Sequence, residues 1–285
     1  MAVAQSEVRT RAVTDRDAIA AFLRSDRLYA VYALGDLDGP NRRRATWGLA
    51  YDAAGRPTAL AEHHEGLVPQ PLFLMGDPDG CRALLESVIK PRDAYFQAGE
   101  EHHGAMAAHY DLEPPSRMLR MTVNRDTFRP FVGSAQRLNA TDIEDLNHLY
   151  QLGFRTGFPI SVIEDGIYFG VRVHGRLVSA AGTHVVNVRE GVAVVGNVMT
   201  HVDYRGHDFA KMATSAVTEE LLDRVPDVAL NVHAGNSPAV AAYSRLGYDE
   251  YCQVVERLGR RRSGGWGLMR PIREAIRLTW QRDPR

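Results

Sequence analysis

Apolar positions recur along this chain in two matching sets. Near the start, Val8 to Val13 lead into Thr14-Asp15-Arg16-Asp17 and then into apolar residues at helical spacing through Leu23. Ala135 to Ala140 lead likewise into Thr141-Asp142-Ile143-Glu144 and a run through Tyr150. Each predicts a strand and then a helix, with threonine at the N-cap and an acid at the third helical position that can reach back to the cap. Hairpins echo too. Trp47 to Tyr51 and Pro57 to Ala61 flank a turn ending in Gly55-Arg56, while Tyr168 to Val173 and Arg176 to His184 flank His174-Gly175. The offset of roughly 120 to 130 residues is about one domain in size.

The pattern therefore predicts two domains of similar plan, over residues 1–123 and 134–262. A linker over 124–133 joins them, and a tail over 263–285 carries a short helix from Pro271 to Trp280. The first half continues with strands at Pro71 to Met75 and Tyr95 to Ala98 and helices at Gly80 to Ile89 and Glu101 to Tyr110. In the second half, the largely apolar run Val192 to Thr200 predicts a strand buried on both faces. A helix from Lys211 to Leu222, a strand from Val228 to Val232, a short helix after Asn236 and a strand from Tyr248 to Arg257 follow.

The join between that central strand and its helix reads Val198-Met199-Thr200-His201-Val202-Asp203-Tyr204-Arg205-Gly206-His207-Asp208-Phe209-Ala210. A strand passing through a tight turn into a helix aims the helix's unpaired N–H groups at whatever lies over the turn. Anions bind in such places. A second segment, Asn236-Ser237-Pro238-Ala239-Val240-Ala241-Ala242-Tyr243-Ser244-Arg245-Leu246-Gly247-Tyr248, is a capped short helix closed by glycine.

Together these segments resemble the GNAT superfamily of acyl-CoA-dependent N-acyltransferases. Arg205 to Ala210 match its pyrophosphate signature, Arg/Gln-x-x-Gly-x-Gly/Ala, and the second segment matches its Asn…Ala…Tyr…Leu-Gly-Phe/Tyr pattern. The resemblance covers about residues 134–258 by motif and the first half by architecture. It implies an α/β fold of two tandem GNAT-like domains of the bacterial type. Each would be a central, mostly antiparallel sheet flanked by helices, with a splayed pair of parallel strands. One departure stands out, because the family's central loop glycine is Asp208 here. Aspartate tolerates left-handed backbone angles better than most residues, but a carboxylate turned toward a pyrophosphate repels it. The corresponding stretch of the first half, Gly76-Asp77-Pro78-Asp79-Gly80-Cys81, lacks the arginine and carries two acids. No coenzyme is expected there; that half is expected to pack against the second and wall the acceptor site.

The resemblance also implies site roles. Backbone groups of Val198, Met199 and Thr200 would bind the pantetheine arm of acetyl-CoA or another short acyl-CoA. Arg205 and the amides of Gly206, His207, Asp208, Phe209 and Ala210 would hold the pyrophosphate, with His207 and Lys211 adding positive charge. A surface turn and a solvated helix face are the alternatives for Arg205 and Lys211. Asn236 would hydrogen-bond the coenzyme or cap its helix, or both. Tyr243 would protonate the departing thiolate, a task that suits a phenol of pKa near 10, or it would pack the helix onto the sheet. His184 and His201 are the candidate general bases. Phe154, Glu164 and Asp165 lie where the superfamily contacts its acceptor. The expected partners are an acyl-CoA and a primary-amine acceptor, in a monomer or homodimer.

Composition narrows the field. A net charge of −1 and the lack of a nucleic-acid motif argue against a nucleic-acid partner. The runs Arg42-Arg43-Arg44 and Arg260-Arg261-Arg262 have no interleaved aromatics and read as solvated turns. Two cysteines, Cys81 and Cys252, make no disulfide framework or zinc spacing, and Glu101-His102-His103 with His109 lack metal-ligand spacing, so no metal is expected. No apolar run approaches roughly 20 residues and no secretory pattern opens the chain, so no membrane is expected and a cytoplasmic location is. The function expected is direct transfer of an acetyl or short acyl group to an amine. The alternative, prompted by Asp208, is a non-catalytic acyl-CoA-binding sensor or scaffold.

Overall fold

The computed structural model describes residues 8–39, 41–151 and 158–262. The first half contains β1 (Arg9–Val13), α1 (Arg16–Leu23), α2 (Val31–Gly35), β2 (Ala45–Tyr51), β3 (Pro57–His64), β4 (Pro71–Gly76), α3 (Pro78–Ser87), β5 (Asp93–Ala98), α4 (His103–His109), β6 (Tyr110–Leu112) and β7 (Ser116–Asn124). The second contains β8 (Gln136–Arg137), α5 (Ile143–Gln151), α6 (Ser161–Asp165), β9 (Phe169–Val173), β10 (Arg176–Asn187), β11 (Val192–Thr200), α7 (Phe209–Leu222), β12 (Asp227–His233), α8 (Ser237–Arg245) and β13 (Asp249–Arg261). The expected tail helix lies outside the described residues. Among the described residues no helix is long and apolar enough to cross a membrane.

Both helix starts are capped by a residue other than the expected threonine. Asp15 accepts from the amides of Asp17 and Ala18 to begin α1. Asn139 forms a reciprocal box with Asp142 ahead of α5. Aspartate and asparagine rank above threonine as N-caps, and here each, one or two residues from the threonine, reaches the open amides.

The two halves repeat one plan and then trade strands. β1 to β4 pair antiparallel in order and β4 runs parallel to β5. Likewise β8 to β11 pair antiparallel in order, and β11 runs parallel to β12. Beyond β5 the neighbour is β13, the last strand; beyond β12 it is β7, from the first half. β13 and β7 also pair with each other, so one continuous sheet runs through the molecule.

Helices of the first half cover strands of the second. Leu23, Val31 and Leu34 of α1 and α2 share a core with Val192 and Val194 of β11 and Ala229 of β12. Gly35 is needed there, since an added Cβ would lie 2.7 Å from the Val185 side chain. α7 closes the opposite face through Ala213, Val217 and Leu221.

An ion network ties the seam. Arg16, on α1 and 8% exposed, bonds Asp38 and Glu190, each at 2.7 Å, and Arg24 bonds Glu190 at 2.8 Å. The Arg16 hydrogen bond holds Asp38 down at about 2. At Glu190 burial works upward, but hydrogen bonds from Arg24 and Arg16 prevail and its pKa is lowered. Both folded-state values lie below the unfolded ones, near 3.8 and 4.5. Their stabilisation is therefore full above those values and is lost as pH falls through the folded ones. Glu190→Ala is expected to cost about 2 kcal/mol at neutral pH by removing charge-assisted bonds to Arg16 and Arg24, while Arg16 keeps Asp38. It should also flatten the loss of stability in acid. Urea unfolding of both proteins across the acid range checks this; an unchanged acid slope would refute it.

Candidate functional site

β11 and β12 pair only from Val192 opposite Asp227 to Val195 opposite Leu230. Beyond that they run on separately, to Thr200 and His233. A bulge accompanies the parting. Gly182 of β10 faces Gly196 and Ala180 faces Met199, so β11 carries one extra residue. Asn197 absorbs it in the left-handed region, at φ 53°, which asparagine adopts more readily than most residues. Its side chain is held on both ends: Nδ2 donates to the Tyr168 hydroxyl at 2.8 Å, and Oδ1 lies 3.0 Å from His184 Nε2.

An amide oxygen only accepts, so His184 donates through Nε2 and presents Nδ1 as its acceptor. Nδ1 lies 3.1 Å from the hydroxyl of Tyr32 on α2. His184 is exposed along the cleft, yet the protein packed around its ring desolvates it. Desolvation lowers its pKa, against the Asn197 hydrogen bond, and leaves the imidazole neutral at neutral pH. His201 is placed otherwise. It is buried, its Nδ1 caps the 3-10 turn Val202–Tyr204 through the Asp203 amide, and its Nε2 lies 3.0 Å from an Arg176 nitrogen.

After that turn the chain prepares a helix start. Arg205 is exposed, and Gly206 takes φ 82° with open space where a Cβ would stand. His207 stacks on Phe209, with centroids 5.6 Å apart. Asp208 sits at the N-cap of α7 in the left-handed conformation, φ 59° and ψ 11°, so the glycine position of the motif keeps a glycine-like backbone. No side chain caps α7, which leaves the amides of its first turn open. The Asp208 carboxylate turns to Lys211, 3.1 Å away. Lys211 is buried, with its ammonium 4.0 Å from the centroid of Phe131, so the alternative of a solvated helix face does not apply to it.

On the other side of the splay, Asn236 caps α8 by accepting from Ala239 N–H at 3.3 Å, and Pro238 stands in the first turn. Gly247, at φ 89°, lets the chain turn where any Cβ would fall 1.9 Å from the Thr127 carbonyl oxygen. Tyr243 points inward from α8 and shares an apolar cluster with Val198 and Val232, from the two parted strands. Its hydroxyl makes no hydrogen bond among the described residues, whereas neighbouring Tyr248 is 2.7 Å from Thr218 Oγ1. Burial pushes the Tyr243 pKa up to about 12.

Glu164 and Asp165 are exposed at the end of α6, and Phe154 lies outside the described residues. The fold thus gathers Val198 to Thr200, the Arg205 to Lys211 turn, Tyr243 and His184 around one splay, and turns His201 to capping. Tyr32, Asn197 and Tyr168 escaped the sequence reading. Asn197 had a faint signal, an asparagine after glycine within an apolar strand; Tyr32 had none, because it arrives from the other half. Among the described residues no group of three metal-ligating side chains is placed to hold an ion.

Comparison with known proteins bears on the fold. Residues 137–248 match the model of the Acetyltransferase (GNAT) family. No curated protein sequence matches the chain. Among solved structures, a tandem GNAT protein from the clavulanic acid biosynthesis pathway is similar over 91% of this chain and 100% of its own, at 15% identity and TM-score 0.55. A GCN5-related N-acetyltransferase from Sphaerobacter thermophilus is similar over 90% and 96%, at 16% identity and TM-score 0.57. Another from Kribbella flavida is similar over 73% and 88%, at 18% identity and TM-score 0.54. At these identities the likeness is one of fold. The chain therefore has the mixed α/β fold of GNAT proteins, and its residues 137–248 match the acetyltransferase (GNAT) family model.

Proposed function

We propose that this chain is an acyl-CoA-dependent N-acetyltransferase, moving an acetyl or short acyl group directly onto an amine. The observation that carries the reading is the uncapped start of α7 beside parted strands, with the Tyr243 hydroxyl unpartnered in the same apolar cluster. Residues 134–262 are the proposed acyltransferase domain, 1–123 a degenerate GNAT-like domain, 124–133 the linker and 263–285 a tail. In the first half, Asp77 accepts from the Gly80 amide at 2.8 Å at the start of α3. A carboxylate of the chain already fills the place a phosphate would take, so the coenzyme is assigned to the second half alone.

In this reading the amides of Gly206 to Ala210, with Arg205, face the pyrophosphate, and Val198 to Thr200 offer backbone groups to pantetheine. Asn236 orients the start of α8. The amine nitrogen attacks the thioester carbonyl carbon, the carbon–sulfur bond breaks, and the thiolate takes a proton from Tyr243. His184 Nδ1 accepts the proton that the amine loses, by way of the Tyr32 hydroxyl. A neutral imidazole at His184 and a high-pKa phenol at Tyr243 are the base and acid states these transfers need. Glu164 and Asp165 are assigned to the rim of the acceptor site. The sensor alternative loses its motive, because Lys211 offsets the charge of Asp208.

Calorimetric titration with acetyl-CoA tests the loop. Wild type is expected to bind, and Asp208→Gly to bind about threefold more tightly, since a half-exposed charge is screened. Lys211→Met, which keeps the apolar stem over Phe131, is expected to bind about tenfold more weakly by leaving Asp208 unpaired. Undetectable binding by wild type would refute the reading.

Thiol release tests the chemistry. Tyr243→Phe is expected to lower kcat about a hundredfold with little change in acetyl-CoA affinity, the usual scale for a lost general acid. The acid limb of kcat/KM for wild type should break below pH 6.5, the ordinary histidine value, because desolvation lowers the His184 pKa. His184→Gln should abolish that break, and a break that survives would assign the base elsewhere.

A further inference from the structure

Building on the acyltransferase reading, we propose that the acceptor pocket is shared by the two halves. Glu256 recognises the acceptor there as an ammonium ion with no carboxylate beside it. On the face of the sheet that α1 and α2 cover, a chain of polar groups runs from Glu256 to the His184 edge of the splay. Tyr95, on β5, donates its hydroxyl to Glu256 Oε2 at 2.6 Å. Asn231, on the parted end of β12, donates to Glu256 Oε1 at 3.5 Å and accepts from Arg120 Nε at 3.0 Å. The Arg120 guanidinium lies 5.3 Å from the centroid of the Tyr32 ring, and the Tyr32 hydroxyl meets His184 Nδ1. Five strands and α2, drawn from both halves, converge on this line.

Exposure decides the sign of charge an incoming molecule meets. Arg120 is 1% exposed, and it also donates to the carbonyls of Leu28 and Tyr29. Its positive charge is spent inside the protein. Glu256, Tyr95, Tyr32 and Asn231 are half-buried and His184 is exposed, so the accessible groups are a carboxylate, two phenols, an amide and a neutral imidazole. The carboxylate is close enough to act on His184, whose pKa it raises against desolvation.

A carboxylate flanked by aromatic rings suits an alkylammonium, through a charge-assisted hydrogen bond and cation–π contact. An α-amino acid would bring its own carboxylate into this field, and the Arg120 guanidinium is buried and turned to Asn231 and the carbonyls of Leu28 and Tyr29. The fitting acceptors are simple amines, with α-amino acids excluded by repulsion.

Phenethylamine and phenylalanine differ only in the α-carboxylate and give the test. Each is titrated calorimetrically into the full chain saturated with desulfo-CoA. Wild type is expected to bind phenethylamine at least about tenfold more tightly than phenylalanine, the scale of one charge-assisted contact. Glu256→Gln should weaken phenethylamine about tenfold, narrow the gap between the two ligands and leave desulfo-CoA affinity unchanged. Tyr95→Phe keeps the carboxylate, should weaken phenethylamine by a smaller factor, and serves if the first variant fails to fold. Equal affinity for the two ligands, an unmoved phenethylamine affinity in the variants, or no phenethylamine binding at millimolar concentration would each overturn the proposal. If desulfo-CoA itself does not bind, the acyltransferase reading fails. The same titrations into the free protein then still decide whether Glu256 holds the amine.

Discussion

Strand β13 forms backbone hydrogen bonds along both edges, to β5 on one side and to β7 and then β6 on the other. Everything else in the molecule is set by those ladders. They fix the two halves as parts of one sheet, and the sheet in turn fixes where α1 and α2 land. A ladder also sets register, and a slip of one residue would exchange the faces of the strand. Glu256 would then leave the side shared by Tyr95 and Asn231. The polar line beside the splay therefore depends on pairing between strands more than a hundred residues apart in sequence.

Charge is handled at the seam and at the loop by the same principle, that a buried ion must have its partner supplied by the fold. Glu190 sits between Arg16 and Arg24, and Lys211 lies between Asp208 and the face of Phe131. At the loop this lets a carboxylate occupy a glycine position without leaving net negative charge over the open amides. The left-handed turn needs only backbone freedom, which aspartate has in sufficient measure.

Much of this was legible in the sequence where the signal is local. The central strand was placed at Val192–Thr200, as observed, and the Arg205 to Ala210 turn leads into a helix as its composition suggests. The backbone of Asp208 followed from its side chain. Local rules misplaced the caps at Asp15 and Asn139, because threonine, aspartate and asparagine all compete for the same amides. The burial of Lys211 was also missed, since its partner ring comes from Phe131, eighty residues earlier in the chain. Tyr32, Arg120 and Glu256 lie beyond any local reading. Nothing in a strand's own pattern names the strand beside it, and the exchange of β7 and β13 is what brings them together.

That exchange bears on how the protein is made. Strands β5 and β7 are complete once Asn124 has been synthesised, but their common partner begins at Asp249. Until then both present unpaired edges of the sort that recruit other chains. The first half cannot finish folding ahead of the second, as successive domains often do during synthesis. Elongation over the whole second half is a window in which the nascent chain depends on its surroundings for protection, and the window closes only with the last described strand.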